Sequence, residues 1–316
     1  MTRRRGRPIS GVLLLDKPAG VTSNQALQTA RRLLDAAKAG HTGTLDPLAT
    51  GLLPLCFGEA TKVSQFLLGA DKTYRARARL GITTTTGDSE GEIVRERPVA
   101  VDQTALAAAL LAHTGDLLQV PPMHSALKQG GRRLYELARR GETVERAARP
   151  VHVGRLELLR FEGDVFEVDI DCSKGTYVRS LIEDIGELLG CGAHLTALRR
   201  LRVGALDVER AVDLDRLRAL AVDGPAALDA CLLPVADALA HLPRLFVDAP
   251  QAQRLARGQA LELAAPPAPG WVAVFTVDRA FVGMAQVADG RLWPRRLVSQ
   301  EQASGAGHDA SADGSA

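Results

Sequence analysis

One short loop holds residues whose types and spacing could support nucleophilic or acid–base chemistry. Residues 40–51 are rich in small side chains and contain one acid, Asp46, which Pro47 follows directly. Glycine lets a ligand approach the backbone closely, and proline stiffens the chain beside the carboxylate. An aspartate held in this way is suited to act as a nucleophile or a general base. Asp-Pro also commonly opens a turn, so Asp46 as a plain turn residue stays an alternative.

A second candidate segment, residues 173–179 (SKGTYVR), lies where a predicted strand runs into a predicted helix. Site residues often occupy such connections. The guanidinium of Arg179 can bind a carboxylate through two parallel hydrogen bonds. If that carboxylate is Asp46, the pairing would hold it ionised, because such partners lower an aspartate pKa by roughly 1–3 units. Tyr177 in the same segment is equally compatible with core packing.

Tyr74 is a third candidate, because aromatic residues make up only 4% of the chain. Residues 73–80 (TYRARARL) alternate strictly, which places Tyr74 on one face of a predicted strand and Arg75, Arg77 and Arg79 on the other. A tyrosine in a basic setting could stack on a nucleic-acid base. Core packing is the more common fate of a strand tyrosine, and both interpretations stay open.

Two other classes of chemistry are rejected on the pattern of residues. The segment 87–91 (GDSEG) matches G-x-S-x-G, and His41, Asp46 and Ser89 follow the order of a chymotrypsin-type triad. However, no helical pattern follows Ser89, and His41 and Asp46 share one loop, unlike in that all-β fold. The chain also lacks the G-x-x-x-x-G-K-[ST] phosphate loop. We therefore reject serine hydrolysis and nucleotide hydrolysis.

Charge and composition limit the partners and cofactors. The net charge is only +2, so affinity for nucleic acid must come from local basic clusters at residues 3–7, 128–155 and 199–202, with solvated helix faces as the alternative. The four cysteines include no CxxC pair, so neither a zinc site nor a disulfide framework is expected. The chain shows no signal peptide and no apolar run near the roughly 20 residues of a membrane span. We expect a cytoplasmic protein without a metal or cofactor.

Hydrophobic periodicity predicts the elements that position these residues. Helical spacing after a capping Thr22 or Ser23 predicts a helix that continues to Ala37 and ends at Gly40. Further helices are predicted at 59–69, 103–113, 133–140, 179–189 and 251–257. Strands are predicted at 11–15, 73–80, 151–160 and 165–173, and two or three more between 271 and 298.

The chain divides by composition into segments of different character. A basic extension at 1–9 precedes a main domain at 10–240, and a small β-rich domain is predicted at 245–300. The small domain is too short for a large core of its own, so we expect it to dock on the main domain. Residues 303–316 are mostly Ser, Gly, Ala and Asp, which predicts a disordered tail.

Long motifs in the chain resemble one family. The loop GHTGTLDPLATGLLP resembles the signature loop of the TruB family of pseudouridine synthases, whose bacterial members modify uridine 55 of tRNA. The resemblance extends to GVLLLDKPAGVTSN, GEATKVSQFLLGADKTYRARARLG, PPMHSALKQGGRRLYELARRG, VDIDCSKGTYVRSLIEDIGELLGCGAHLTALRRL and RLARGQ, and it covers about residues 10–298.

The resemblance implies a role for each candidate residue. Asp46 matches the catalytic aspartate, and Arg179 matches the arginine that pairs with it. The remaining matches are residues that hold the flipped uridine or replace it in the RNA. They are Tyr74 under the target base, Tyr177 in the GTYxR motif, Leu198 in the base pocket, and His41 in the gap left by the nucleotide.

The resemblance also implies a fold and a partner. It implies an α+β fold with a mixed, largely antiparallel central sheet flanked by helices, followed by a PUA-like RNA-binding domain. Residues of about 124–152 match an insertion that clamps the RNA stem-loop. Its candidate RNA-binding residues are Lys128, Arg132, Arg133, Arg139 and Arg140. The implied partner is the T-arm of tRNA, bound by a monomer without an obligatory protein partner.

Two other functions remain open. A guide-RNA-dependent synthase of the related dyskerin type shares the catalytic loop but acts within a protein complex. A tRNA chaperone would bind, unfold and release the arm, and this role is compatible with catalysis because the reaction already requires the arm to open.

Overall fold

The computed structural model describes residues 6–125 and 127–298, except for the side chains of Gln129 and Arg133. The predicted disordered tail at 303–316 and the first five residues of the basic extension lie outside the described residues.

The described residues form strands and helices in alternating groups. The strands of the first half are β1 (Gly11–Lys17), β2 (Ala39–His41), β3 (Thr50–Phe57), β4 (Lys72–Leu80), β5 (Ile82–Thr84), β6 (Ile93–Glu96), β7 (Gly115–Gln119), β8 (Lys128–Gln129) and β9 (Arg132–Arg133). The later strands are β10 (Arg149–Glu162), β11 (Val165–Cys172), β12 (Ala193–Val203), β13 (Leu206–Asp207), β14 (Leu232–Leu233), β15 (Arg244–Val247), β16 (Leu261–Glu262), β17 (Gly270–Thr276), β18 (Phe281–Ala288) and β19 (Arg291–Leu297). The helices are α1 (Ser23–Leu33), α2 (Ser64–Leu68), α3 (Gln103–Ala112), α4 (Leu134–Ala138), α5 (Val178–Leu188), α6 (Leu214–Val222), α7 (Pro225–Asp229), α8 (Val235–Ala238) and α9 (Ala249–Ala256), with 3₁₀ turns at Gly58–Lys62 and Val208–Arg210.

The main sheet runs in the order β14-β1-β3-β12-β4-β11-β10-β7, with β2 and β13 paired at its sides. Its strand pairs are antiparallel except for the parallel pair of β3 with β12. This pair places the start of β3 beside β12, and β12 in turn lies beside β4. The loop before β3 therefore lies at the same end of the sheet as Tyr74 of β4 and the C-terminal end of β11.

Both faces of the sheet centre are buried. Along β1, Leu13 and Leu15 face a core formed with α1, α3, α5 and α6, whereas Val12 and Leu14 face a second apolar cluster. Neighbouring β3 divides its side chains in the same way. Strands covered on both faces are apolar along their whole length and lose the alternation that marks a half-exposed strand.

The second cluster joins the C-terminal unit to the main sheet. That unit is a five-stranded sheet in the order β15-β17-β18-β19-β16, with α9 packed against it. Phe275, Phe281 and Met284 belong to the same buried cluster as Val12 and Leu14. The C-terminal unit is therefore docked on the main sheet through a shared apolar core.

The first predicted helix is wrong at its C-terminal end. Thr22 caps α1 as predicted, accepting a hydrogen bond of 3.2 Å from the Gln25 amide, but the helix ends at Leu33. Asp35 then adopts a φ of 45°, a left-handed conformation that stops a helix. Gly40 consequently lies in β2 opposite Cys56 and is not the predicted helix-terminal glycine.

The other predicted elements fall close to the observed ones, but several observed elements were not predicted. The predicted strands at 11–15, 73–80, 151–160 and 165–173 and helices at 103–113, 133–140 and 179–189 correspond to β1, β4, β10, β11, α3, α4 and α5. The segment 59–69 divides into a 3₁₀ turn and α2. Strands β3 and β12 were not predicted, although they form the centre of the sheet. No helix in the described part of the chain is long and apolar enough to cross a membrane.

Candidate active site

The loop between β2 and β3 is fixed to the body of the protein at several points. The Ser23 hydroxyl accepts a hydrogen bond of 2.8 Å from the Leu45 amide and donates one of 3.0 Å to the Leu45 carbonyl. The buried ammonium of Lys17 donates to the carbonyl oxygens of Val21 at 2.6 Å and Pro47 at 3.4 Å. Because Leu45 and Pro47 flank Asp46, its carboxylate projects from a rigid support.

The structure brings Asp46 and Arg179 together. The Arg179 Nε atom lies 3.1 Å from a carboxylate oxygen of Asp46. The Asp46 side chain keeps 37% of its surface exposed, whereas that of Arg179 keeps 6%. The carboxylate can therefore be reached from outside while its partner remains sealed within the protein.

Arg179 is held by three further groups. Its two terminal nitrogens donate to the carbonyl oxygens of Thr86 at 2.8 Å and His124 at 2.7 Å. The carboxylate of Asp88 lies 3.6 Å away and is almost completely buried. The sequence did not single out Asp88, which belongs to the GDSEG segment considered only as a hydrolase pattern. A guanidinium with this many fixed partners has one orientation available to it.

The net direction of the Asp46 pKa differs from the expectation based on Arg179 alone. Burial raises the pKa of Asp46 above its ordinary value of 3.8. The positive charges of Arg179 and Lys17 act to lower that pKa, and the negative charge of Asp88 acts to raise it. The arginine therefore offsets part of the desolvation without reversing it. Lys17 is affected in the opposite sense, since burial lowers its pKa to about 8.

Tyr74 lies in β4 at the position paired with Arg200 of β12. Its ring is buried in the main core, and burial raises the pKa of its phenol. The positive charge of Arg200 acts to lower the pKa of the phenol, and the Arg200 guanidinium donates to the Leu52 carbonyl at 2.6 Å. Tyr74 thus packs in the core and also lies close enough to Asp46 to feel its charge.

The remaining predicted substrate-binding residues surround this centre. Tyr177 directly precedes α5, two residues before Arg179, and is half-buried. Leu198 lies in β12 beside the catalytic-loop end of β3, where its carbonyl accepts a hydrogen bond of 3.5 Å from the Thr50 hydroxyl. His41 ends β2 and begins the loop itself, opposite Leu55.

The predicted RNA-binding residues lie on a small protruding unit made of β8, β9 and α4. Four of the five side chains are at least partly exposed, namely those of Lys128, Arg132, Arg139 and Arg140. The fifth, that of Arg133, lies outside the described side chains. The Arg139 guanidinium lies 5.5 Å from the centre of the Tyr135 ring. These cations form a basic surface next to His124, which carries one of the carbonyls that bind Arg179.

The cluster Arg199, Arg200 and Arg202 does not form the phosphate-binding patch considered from the sequence. Arg199 binds both carboxylate oxygens of Asp16, at 3.0 and 2.6 Å. Arg200 is buried under Tyr74. Arg202 binds Asp207 at 2.8 Å. Each of these arginines already binds an acceptor within the protein. β12 lies in the middle of the sheet, where neighbouring strands and turns supply such acceptors.

Comparison with known proteins identifies the family. A model described as TruB family pseudouridylate synthase (N terminal domain) matches residues 31–178. Two further models, the tRNA pseudouridylate synthase B C-terminal domain and the pseudouridine synthase II TruB C-terminal domain, match residues 179–240 and 243–298. The chain therefore belongs to the TruB family of pseudouridine synthases.

Similar curated proteins cover almost the whole chain. The tRNA pseudouridine synthase B of Aromatoleum aromaticum is 56% identical over 299 residues, which cover 94% of this chain and 95% of that protein. The tRNA pseudouridine synthase B of Stutzerimonas stutzeri is 52% identical over 301 residues, covering 95% and 99%.

Solved structures share the fold at lower identity. A Cbf5–Nop10–Gar1 complex contains a chain with a TM-score of 0.70 and 28% identity, covering 94% of this chain and 81% of that one. The archaeal box H/ACA sRNP Nop10–Cbf5 complex gives a TM-score of 0.68 and 26% identity, covering 93% and 81%. The predicted α+β pseudouridine synthase fold with a small PUA-like C-terminal domain is confirmed.

Proposed function

We propose that this protein converts uridine 55 in the T-loop of tRNA to pseudouridine, with Asp46 as the catalytic residue. The observation that carries the proposal is the pairing of a reachable carboxylate, Asp46, with a buried and multiply bonded arginine, Arg179, in a chain of the TruB family. The names of the most similar curated proteins support tRNA as the substrate.

The reaction must break the bond between uracil N1 and the sugar, turn the base, and rejoin it through C5. Because the base is inaccessible inside a folded arm, it must first leave the stack, which costs a few kcal/mol. His41, at the entrance of the loop, would occupy the vacated position and recover part of that cost. Leu198 and Tyr177 would line the pocket that receives the base.

Asp46 has three possible roles in the chemical step. It can attack C1′ of the sugar, attack C6 of the base, or remove the 2′ proton. All three require the ionised carboxylate, so all three depend on the charges of Arg179 and Lys17, which oppose the effect of burial on the Asp46 pKa.

Tyr74 would support the base and not act as a free phenolate. Its reference pKa is near 10, and burial raises it further. A neutral ring would therefore stack on uracil, and its hydroxyl would lie on the path by which the C5 proton leaves.

The decisive test is Asp46→Asn, which keeps the shape of the side chain and removes its charge. We expect this variant to bind tRNA with unchanged Kd and to form no pseudouridine, as measured by mass-shift mapping of the tRNA. The matched control is Asp215→Asn, which makes the same change in an exposed residue of α6 and should retain full activity. Turnover by clean Asp46→Asn protein would remove Asp46 from the mechanism.

The position of modification is tested separately. A tRNA that carries cytidine at position 55 should yield no pseudouridine, whereas the unaltered tRNA should yield one at that site. A product at another uridine would keep the enzymatic class and overturn the assigned position.

A guide-RNA-dependent function is the second candidate, because the structures with TM-scores near 0.7 are Cbf5 complexes. Their identity to this chain is about half that of the tRNA pseudouridine synthase B proteins. We therefore propose that this protein acts alone and as a monomer. Activity of the pure protein on bare tRNA, without guide RNA or accessory proteins, distinguishes the two functions.

A further inference from the structure

A buried glutamine holds the main chain where it enters α5. Gln119, the last residue of β7, is only 4% exposed. Its side-chain oxygen accepts a hydrogen bond of 2.7 Å from the Tyr177 amide, and its side-chain nitrogen donates one of 3.1 Å to the Tyr177 carbonyl. The carboxamide thus pairs with both main-chain groups of Tyr177, as a residue of a neighbouring antiparallel strand would.

This contact holds the main chain at the N-terminus of α5, whereas the contacts of Arg179 with Thr86 and His124 hold only its side chain. Tyr177 is the N-cap residue of α5, and its own side chain does not provide the usual capping hydrogen bond. Arg179 follows in the first turn of the same helix. Because buried backbone groups are costly to leave unsatisfied, the Gln119 contact fixes the position of the chain just before the arginine.

The segment that follows Gln119 also reaches Arg179 directly. The carbonyl of His124 accepts a hydrogen bond of 2.7 Å from Arg179. The carbonyl of the next residue, Ser125, accepts one of 3.1 Å from the Tyr135 amide, which closes the base of the basic β8–β9–α4 unit. Residues 119–125 therefore connect the proposed RNA-binding unit to the arginine that contacts Asp46.

We propose that Gln119 is a positioning residue for the reaction, whose carboxamide clamps the main chain at Tyr177 and thereby holds Arg179 against Asp46. The inference rests on the proposed function of the same site. By the same proposal, residues 119–125 couple the position of the RNA-binding unit to the positions of Arg179 and Asp46.

The charge environment gives the proposal a distinctive readout. Arg179 opposes the burial that raises the pKa of Asp46, so a displaced arginine would let that pKa rise further. The ionised carboxylate would then be lost at a higher pH as the solution is acidified. The other titratable groups facing the pair are Lys17 from β1, Tyr74 from β4, Asp88 and Glu90 from the loop after β5, His124 from the base of the RNA-binding unit, and Tyr177 and Glu183 at α5.

The test compares Gln119→Met with Gln251→Met in the full-length protein. Gln251 also binds the main chain at a helix N-terminus, since its side chain accepts a hydrogen bond of 3.0 Å from the Asp248 amide at α9, remote from the site. We expect Gln119→Met to lower kcat about 10- to 100-fold, the usual result of a small misplacement of a catalytic group, with unchanged Kd for tRNA. We also expect the acid limb of its kcat–pH profile to move to higher pH, and Gln251→Met to change neither quantity.

Three outcomes would overturn the proposal: wild-type kcat, a kcat loss without movement of the acid limb, or an equal loss in Gln251→Met. If Gln119→Met does not fold, Gln119→Asn is measured instead, because its shorter side chain retains the amide but is too short to meet both Tyr177 groups. A wild-type protein inactive on tRNA would refute the proposed function alone. Hydrogen exchange at the amides of 177–181 would then decide the clamp, with faster exchange in Gln119→Met expected and unchanged exchange contradicting it.

Discussion

At the scale of single residues, the site depends on a carboxylate that must ionise in a place that disfavours ionisation. Burial raises the pKa of Asp46, and the buried cations Arg179 and Lys17 limit that rise. Lys17 itself is desolvated enough for its pKa to fall to about 8. The protein thus keeps the carboxylate reactive by surrounding it with cations that are themselves held in place by carbonyl oxygens.

A pH profile follows from this balance. Since the proposed reaction uses ionised Asp46 and burial raises its pKa, activity should fall with decreasing pH through a midpoint above 3.8, the ordinary aspartate value. Single-turnover rates on saturating tRNA across the acid range measure this midpoint. A midpoint at or below 3.8 would show that Arg179 and Lys17 outweigh desolvation.

The sequence indicated Asp46, Arg179 and Tyr74 as candidate site residues, but it did not indicate the residues that hold them. Asp88, Lys17 and Gln119 lie in unremarkable local contexts, and each acquires its role from partners far away in the chain. The pairing of Gln119 with Tyr177 spans 58 residues. Spacing along the chain carries no signal for contacts of this kind, because they exist only after the sheet has assembled.

At the scale of elements, the sequence identified the alternating strand β4 but missed β3 and β12 at the centre of the sheet. Strand β4 alternates between buried and exposed side chains and was predicted from that pattern. Strand β3 is buried along nearly its whole length and contains Pro54, so its period is hidden. Strand β12 is rich in Leu, Ala and Arg, residues that favour helices, and only pairing with β3 and β4 makes it a strand.

Strands β3 and β12 approach each other so closely at Gly51 that this position requires a glycine. This residue has a φ of 97°, and a Cβ there would collide with the Arg200 backbone. We expect Gly51→Ala to lower the free energy of unfolding by about 2–4 kcal/mol, combining backbone strain with overpacking.

Gly163→Ala is the control for Gly51→Ala. Gly163 has a φ of 61° in the turn between β10 and β11, with no described atom within 4 Å of an added Cβ. It should lose only about 1 kcal/mol, the cost of the backbone conformation alone. Urea unfolding of both variants provides the measurement, and equal losses would mean that the β3–β12 contact tolerates a side chain.

At the scale of the whole molecule, the net charge is near zero, but the charged side chains are unevenly distributed. The cations Lys128, Arg132, Arg139 and Arg140 occur together on the β8–β9–α4 unit, while the arginines at the ends of the β12 cluster are neutralised by carboxylates. Electrostatic attraction for tRNA should therefore come from one side of the molecule.

The salt dependence of tRNA binding tests this distribution. Replacing Arg132 and Arg139 by Gln should weaken binding and reduce the slope of log K against log salt by about 1 for each phosphate that is no longer neutralised. Arg218→Gln, which removes an exposed cation of α6 paired with Asp215, should leave the slope unchanged. If none of these changes alters the slope of log K against log salt, the basic unit does not bind tRNA phosphates and is ordinary solvated surface.

The apolar cluster that Val12 and Leu14 share with Phe275 and Met284 has a thermodynamic consequence. Removing everything beyond residue 240 would expose the outer side of β1 and of β3, the strand that leaves the catalytic loop. The C-terminal unit therefore stabilises the main sheet by covering this apolar side. Heating the intact chain in a calorimeter should give one endotherm, because the shared apolar cluster couples the core of the main sheet to the core of the C-terminal unit; two separated endotherms would show that they melt independently.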